Sequence, residues 1–309
     1  MKKAVIIGGR GKIGSYLVPM LVNDGYSVTN ISRGLSQPYV ENKAWQEVQQ
    51  INCDRDTDDF IDKAATLSAD CVIDMICFEN RDMEKLIDCL SGNVGHYLVC
   101  GSAWIHGKSE AVPTKEEEYR CPPDNYGQQK SLMDQTLAAR FLSSGFPGTA
   151  IHPGHIVCPG DIPINPQGYK GLLAFETLKA GEPLWLPNFG METLHHVHAN
   201  DVAGVFFAAI KTGKPAFGEG FHAVALRAVT LYGYASEVAR WYEREADIRF
   251  EPFDIWKKRV SEADAAMTYE HIERSPNCSM QKAKAVLDFT PVHTTYEAVR
   301  ECIASFGLL

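Results

Sequence analysis

The sequence predicts an α/β fold: a Rossmann-type doubly wound parallel sheet with a smaller C-terminal substrate lobe. Three observations predict it. The first 150 residues alternate short β-branched runs with helix-length amphipathic stretches. A glycine-rich turn follows the first of these runs at once. Near residue 153 the composition shifts, with Pro153, Pro159, Pro163, Pro166 and several glycines crowded before residue 172.

The strands come first. Ala4–Ile7, Ser27–Ser32, Cys71–Met75, His96–Cys100 and Gly148–Ile151 are too apolar for a sheet wetted on one side, so they belong to a parallel sheet covered on both faces. The helices between them are expected at 13–23, 58–68, 81–90 and 126–143, where apolar residues recur at helical spacing. The proline-rich stretch after residue 153 reads as a long ordered loop, followed by a helix over 172–180. The apolar helix 200–211 is expected to pack back on the main sheet. From Thr230 onward charged amphipathic helices follow, at 232–243, 279–287 and 296–306. The expected division is a dinucleotide-binding domain of residues 1–155 that also receives about 195–225, with 156–194 and 226–309 forming mainly the lobe.

Composition narrows the class. With 30 Lys and Arg against 39 Asp and Glu, the net charge is −9, and a nucleic-acid binder would carry a basic face instead. There is no apolar run of about 18 residues to span a membrane. The opening apolar run stops at Ile7 and glycines follow, so it does not read as a signal peptide. Nine cysteines without a C-x-x-C pair read as reduced thiols, and the expected location is cytoplasmic.

Chemistry begins at Gly8-Gly9-Arg10-Gly11-Lys12-Ile13-Gly14, between the first strand and the first helix. A dinucleotide diphosphate needs backbone N–H groups at close range and a positive helix end, which side chains here would obstruct. After the second strand the chain reads Asn30-Ile31-Ser32-Arg33-Gly34, without the acid that grips the ribose hydroxyls of NAD. Arg33 and Arg10 are placed to meet a 2′-phosphate, so NADP is expected ahead of NAD. Asp54 is the candidate for the adenine amino group, with Asp56, Asp58 and Asp59 competing for the role.

Tyr126 and Lys130 stand four apart at the start of a long helix and share one face. A cation beside a phenol favours phenolate, which makes Tyr126 a general acid/base for a hydroxyl or carbonyl. Lys130 also serves the nicotinamide ribose. Ser102, just past a strand end, would polarise the same substrate oxygen.

With these parts in view, the chain resembles the extended short-chain dehydrogenase/reductases, and within them the NAD-dependent epimerase/dehydratase family. The matching pieces are Gly8–Gly14, residues 100–107 (Cys-Gly-Ser-Ala-Trp-Ile-His-Gly), Tyr126–Lys130, residues 152–160 and residues 196–203, and the final helices resemble the family's ending too. The resemblance implies that Ser102, Tyr126 and Lys130 are catalytic and that Pro153 packs against the nicotinamide. It also implies departures. An arginine that helps hold the sugar-nucleotide diphosphate is replaced by Leu194, a Val-Tyr-Gly ending by Ile105-His106-Gly107, and a sugar-contacting asparagine by His155. Where dehydratases place an acid/base pair, this chain has Ala103 and Trp104. Ala103, Trp104, His106 and His155 are the candidate substrate contacts.

His195, His196 and His198 lack a carboxylate or cysteine at ligand spacing, so no metal is expected. The expected function is an NAD(P)-dependent oxidoreductase or epimerase acting on a hydroxyl or carbonyl of a sugar, sugar nucleotide or sugar-like substrate. Its partner is a small, carbohydrate-like molecule, with neither nucleic acid nor membrane, and a homodimer is left open. The rival reading is a non-catalytic, cofactor-binding regulatory or RNA-associated protein of the same fold.

Overall fold

The computed structural model describes residues 1–309 other than Asp58, Leu67 and Tyr119, together with the side chains of these residues apart from that of Ala65. The first and last-but-one positions of the helix expected over 58–68 therefore lie outside the described residues. The first half runs β1 (Lys3–Ile7), α1 (Lys12–Asn23), β2 (Ser27–Ser32), β3 (Gln49–Asn52), α2 (Asp59–Ala65), β4 (Cys71–Asp74), α3 (Asn80–Leu90), β5 (Tyr97–Cys100), α4 (Asn125–Ser144) and β6 (Gly148–Pro153). The second half runs β7 (His155–Val157), α5 (Leu173–Ala180), β8 (Leu184–Pro187), β9 (Thr193–Leu194), β10 (His196–His198), α6 (Ala199–Thr212), β11 (Glu219–Ala223), β12 (Val229–Thr230), α7 (Leu231–Trp241), β13 (Ile248–Glu251), α8 (Phe253–Trp256), α9 (Glu262–Arg274), α10 (Gln281–Leu287) and α11 (Thr295–Ala304).

Seven strands form one parallel sheet in the order β11-β6-β5-β4-β1-β2-β3. Alternate side chains of each strand enter opposite cores. Ala4, Ile6, Ile73, Leu98 and Ile151 pack with α1 and α6 on one face. Val5, Ile7, Val72, Val99 and Ala150 pack with α3 and α4 on the other. This is why the strands read as unbroken apolar runs rather than as alternating ones. The strand order reverses between β1 and β4, and the crevice beyond the carboxyl ends at such a point is where an open α/β sheet binds ligands.

The lobe has its own core, in which Phe175, Leu186, Leu194, Tyr234, Val238 and Ile303 bring together α5, β8, β9, α7 and α11. After α9 the chain goes back to the sheet. Cys278, Met280, Ala283 and Leu287 join the core beneath α6. Phe289 seats against Gly204, where an added Cβ would lie 2.5 Å from the ring. The sequence expectation puts 226–309 mainly in the lobe, because four apolar residues in and just before one short helix do not say which core they fill.

At the end of β4, Asp74 is completely buried. Arg55 Nη1 lies 2.6 Å from both of its oxygens, and the Tyr97 hydroxyl donates to it at 3.3 Å. This ion pair closes the sheet just below the crevice.

Candidate active site

The glycine turn is built for an anion. Gly8 has φ +80°, and a Cβ there would press Ile76 at 2.6 Å. Gly9 donates its N–H to Asn30 Oδ1 at 2.9 Å, so the turn is pinned to the end of β2. Gly14 is the closest approach: a Cβ would sit 2.0 Å from the Gly9 carbonyl oxygen. No side chain caps α1, whose N-cap is Gly11, so the first amides of the helix stay available to a diphosphate. Ile13 is buried in the core and sets the helix on the sheet. Lys12 turns aside from the helix mouth, and its ammonium meets Asp161 at 2.5 Å, with Lys170 on the other oxygen at 2.7 Å.

A cavity of about 450 Å³ opens beside the turn, lined by Arg10, Ser32, Arg33, Asp54, Arg55 and Phe78 among others. Arg10 donates to the Ser36 carbonyl at 2.8 Å while its buried Nε has no partner. Arg33 is exposed at the rim. The structure thus brings Arg10, Arg33 and Asp54 to one cavity next to the diphosphate turn. Its shape and its orphaned guanidinium N–H fit the adenosine half of a dinucleotide.

Ser102 follows β5 and caps a short 3₁₀ turn over Ala103–His106, its Oγ accepting from Trp104 N at 3.2 Å. Asp124 caps α4 by accepting from Gly127 N at 2.7 Å, which fixes the first turn and with it Tyr126. Tyr126 remains 39% exposed. One turn on, Lys130 is 2% exposed and its ammonium donates to the Cys77 and Cys100 carbonyls, both at 2.6 Å. Lys130 Nζ lies 5.7 Å from the Tyr126 ring centroid. Burial pushes the Tyr126 phenol above its ordinary value, and the Ser102 hydroxyl pulls it part of the way back. Spacing alone predicts a cation that favours phenolate, and the burial of the phenol acts in the opposite direction.

Around Tyr126 the structure adds residues that the sequence reading missed. Trp104 meets the phenol edge-on at 6.1 Å, the Arg274 guanidinium lies 4.0 Å above Trp104, and His271 touches both Trp104 and His155. Arg274 is also paired with Asp124. His271 and Arg274 come from α9, whose start carried a legible signal, Ser261 three residues ahead of Asp264. His155 accepts from His195 N at 3.3 Å, which puts its ring proton on a buried, unpartnered Nε2. Pro153 ends β6 in register with Ala223. Two candidate substrate contacts lie elsewhere: Ala103 is buried in the sheet core, and the buried His106 bonds His222 at 2.9 Å. Ala103, Ile105 and His106 of the 3₁₀ turn are all buried, leaving Trp104 as its contribution to the cleft.

His198, His293 and Glu301 place ligand-type atoms within 4.8 Å of one another. The His198 Nδ1, however, accepts from Asn200 N at 3.1 Å, so its proton sits on Nε2, the atom facing Glu301 at 3.4 Å. That nitrogen offers a proton and not a lone pair, so the trio does not form a metal centre as the chain is folded.

Residues 4–221 match the model of the NAD dependent epimerase/dehydratase family. The chain belongs to that family. A chloroplast stem-loop binding protein of 41 kDa from Arabidopsis thaliana is 26% identical over 316 residues, covering 97% of this chain and 78% of the relative. Among solved structures, UDP-N-acetylglucosamine 4-epimerase from Bacillus cereus superposes with a TM-score of 0.73 at 17% identity, covering 97% of this chain and 98% of the other. The dTDP-glucose 4,6-dehydratase of Bacillus anthracis, in complex with NAD, superposes with a TM-score of 0.74 at 14% identity, covering 99% and 97%. These likenesses carry the epimerase/dehydratase fold, and among the described residues no helix is long and apolar enough to cross a membrane.

Proposed function

We propose that this family member is an NADP-linked oxidoreductase or epimerase acting on a hydroxyl or carbonyl of a carbohydrate-like small molecule. One observation carries the reading: Ser102 and Tyr126 face each other beside Lys130, at the strand ends that also carry the glycine turn. NADP(H), when bound, accepts or supplies the hydride. Gly8–Gly14 would hold its diphosphate, Arg10 and Arg33 its 2′-phosphate, Asp54 its adenine and Lys130 its ribose, with Pro153 against the nicotinamide. Tyr126, held protonated, gives its proton to a carbonyl oxygen as an alcohol forms, and takes one back in the reverse direction. Ser102 donates to the same oxygen, because Trp104 N takes only a lone pair of its hydroxyl and leaves the proton available. Trp104, His155 and His271 wall the substrate side. An epimerase would use these groups twice at one oxygen, with hydride leaving one face of the carbon and returning to the other.

NADPH is expected to bind more tightly than NADH, because Arg33 rather than an acid follows β2 and Arg10 stands beside it in the glycine turn. Calorimetric titration tests this, and NADH tighter by tenfold, about 1.4 kcal/mol, would reverse the assignment. Offering carbohydrate substrates to the loaded protein and following nicotinamide absorbance tests the reaction class.

The stem-loop binding name of the Arabidopsis relative gives the RNA reading a specific motive. The net charge of −9 speaks against it here. RNA affinity at physiological salt is expected to be negligible. Submicromolar binding that weakens steeply with added salt would move the chain to that reading.

A further inference from the structure

We infer that His152 is a positioning residue for Ser102, tied through Asp134 to the helix that carries Tyr126 and Lys130. This rests on the roles proposed above for Ser102 and Tyr126. His152 lies on β6, under the turn that follows β5. Its Nδ1 accepts the Ser102 backbone N–H at 3.3 Å. The ring proton is therefore on Nε2, which donates to Asp134 Oδ1 at 3.1 Å. The other Asp134 oxygen is held by Arg120, whose Nη2 donates to the Glu116 carbonyl at 2.7 Å.

The surrounding backbone is cut to fit this ring. A Cβ at Gly101 would stand 2.2 Å from His152 Nδ1. One at Gly220 would stand 2.3 Å from Asp134 Oδ1 and 2.8 Å from His152 Nε2. Two strand ends thus admit the imidazole only because they lack side chains. Asp134 is four residues past Lys130, as Lys130 is past Tyr126, so all three leave one face of α4. The circuit closes on itself: α4 sets the phenol, the phenol faces Ser102, and Ser102 is anchored through His152 to α4 again. Filling space would require only the ring's volume. Holding Ser102 requires the acceptor at the Nδ1 position, and the two demands separate by substitution.

An asparagine oxygen occupies the place of Nδ1, and a glutamine amide the place of Nε2. His152→Asn therefore keeps an acceptor for Ser102, whereas His152→Gln keeps only the contact to Asp134. The readout is the Tyr126 phenol titration, followed by NMR on ring-labelled tyrosine and assigned by the signal lost in Tyr126→Phe. NADPH binding serves as the check on folding. His152→Gln should raise the phenol titration as Ser102→Ala does, and His152→Asn should leave it at the parent position. In the Ser102→Ala background His152→Gln should add nothing, since it acts through the serine. An unchanged titration in His152→Gln, or an equal further displacement on top of Ser102→Ala, would overturn the inference. Should His152→Gln not fold, His152→Asn decides alone: a parental titration supports the tether and a Ser102→Ala-like one refutes it. Normal turnover in Tyr126→Phe would instead defeat the catalytic reading, so the two failures are told apart.

Discussion

A Tyr126→Phe protein is expected to lose about 10²–10⁴ in turnover while binding NADP(H) as the parent does. The substitution removes one oxygen from a ring whose other contacts, the edge of Trp104 and the ammonium of Lys130, are unchanged. The loss should fall on kcat, because proton transfer is felt in the transition state more than in binding. Lys130→Met should damage more than chemistry. It leaves the Cys77 and Cys100 carbonyls without their buried donor and removes the group expected at the ribose, so cofactor affinity and turnover should fall together. Ser102→Ala should slow turnover with little effect on binding. Steady-state kinetics and calorimetry on the three variants check the pattern. Near-parental turnover in Tyr126→Phe, with His155 or His271 substitutions crippling instead, would move the acid/base to the histidines.

The largest stability effect is expected at the opposite side of the crevice. Asp74→Ala should cost about 3–5 kcal/mol, because Arg55 would be left charged and buried without its partner. The Tyr97 hydroxyl and the Ile76 N–H lose an acceptor in the same step. Removing both charges is a different matter. Paired Arg55→Met and Asp74→Leu substitutions leave no stranded ion, and most of the loss should return. Urea unfolding with an unchanged m-value reads this directly. Equal destabilisation by the single and double variants would mean that shape, rather than charge, is what the pair supplies.

How much of this was legible follows from the range of each signal. Strands β1, β2, β4 and β5 and helices α1, α4 and α6 were visible because burial on both faces, or on one helical stripe, writes itself into consecutive residues. The glycine turn and Tyr126–Lys130 were visible because their geometry is local. His152, Arg120, Asp134 and Arg274 were not singled out, although Asp134 continues the spacing of four from Tyr126 and Lys130. Their roles depend on β6, α4 and α9 meeting in space, and an isolated histidine or arginine carries no mark of that. The inward turn of Ala103 and His106 was hidden for a related reason. A run of motif residues says that a segment is near the site, while the 3₁₀ geometry decides which side chains reach it. The direction of the Tyr126 shift was missed because spacing shows the neighbouring charge but not the burial that outweighs it.

The repeated crossing between sheet and lobe has a consequence for how the chain can acquire its structure. When the ribosome has released the first 157 residues, six strands of the sheet exist, yet the strand that borders β6 and the helix covering α1 are still unmade. The side of the sheet that α6 and α10 finally cover has only α1 on it until α6 emerges, and its covering is not complete until about residue 287 has emerged. The lobe waits as long, since Val299 and Ile303 at the far end of the chain complete its interior. Neither part is a contiguous stretch that can mature first, and contacts this distant in sequence are slow to form. Synthesis thus passes through a long interval with a partly covered apolar face, during which aggregation competes with completion. Cutting the chain between residues 225 and 278 would not free two domains, because it would take the last covering of the sheet away from the sheet.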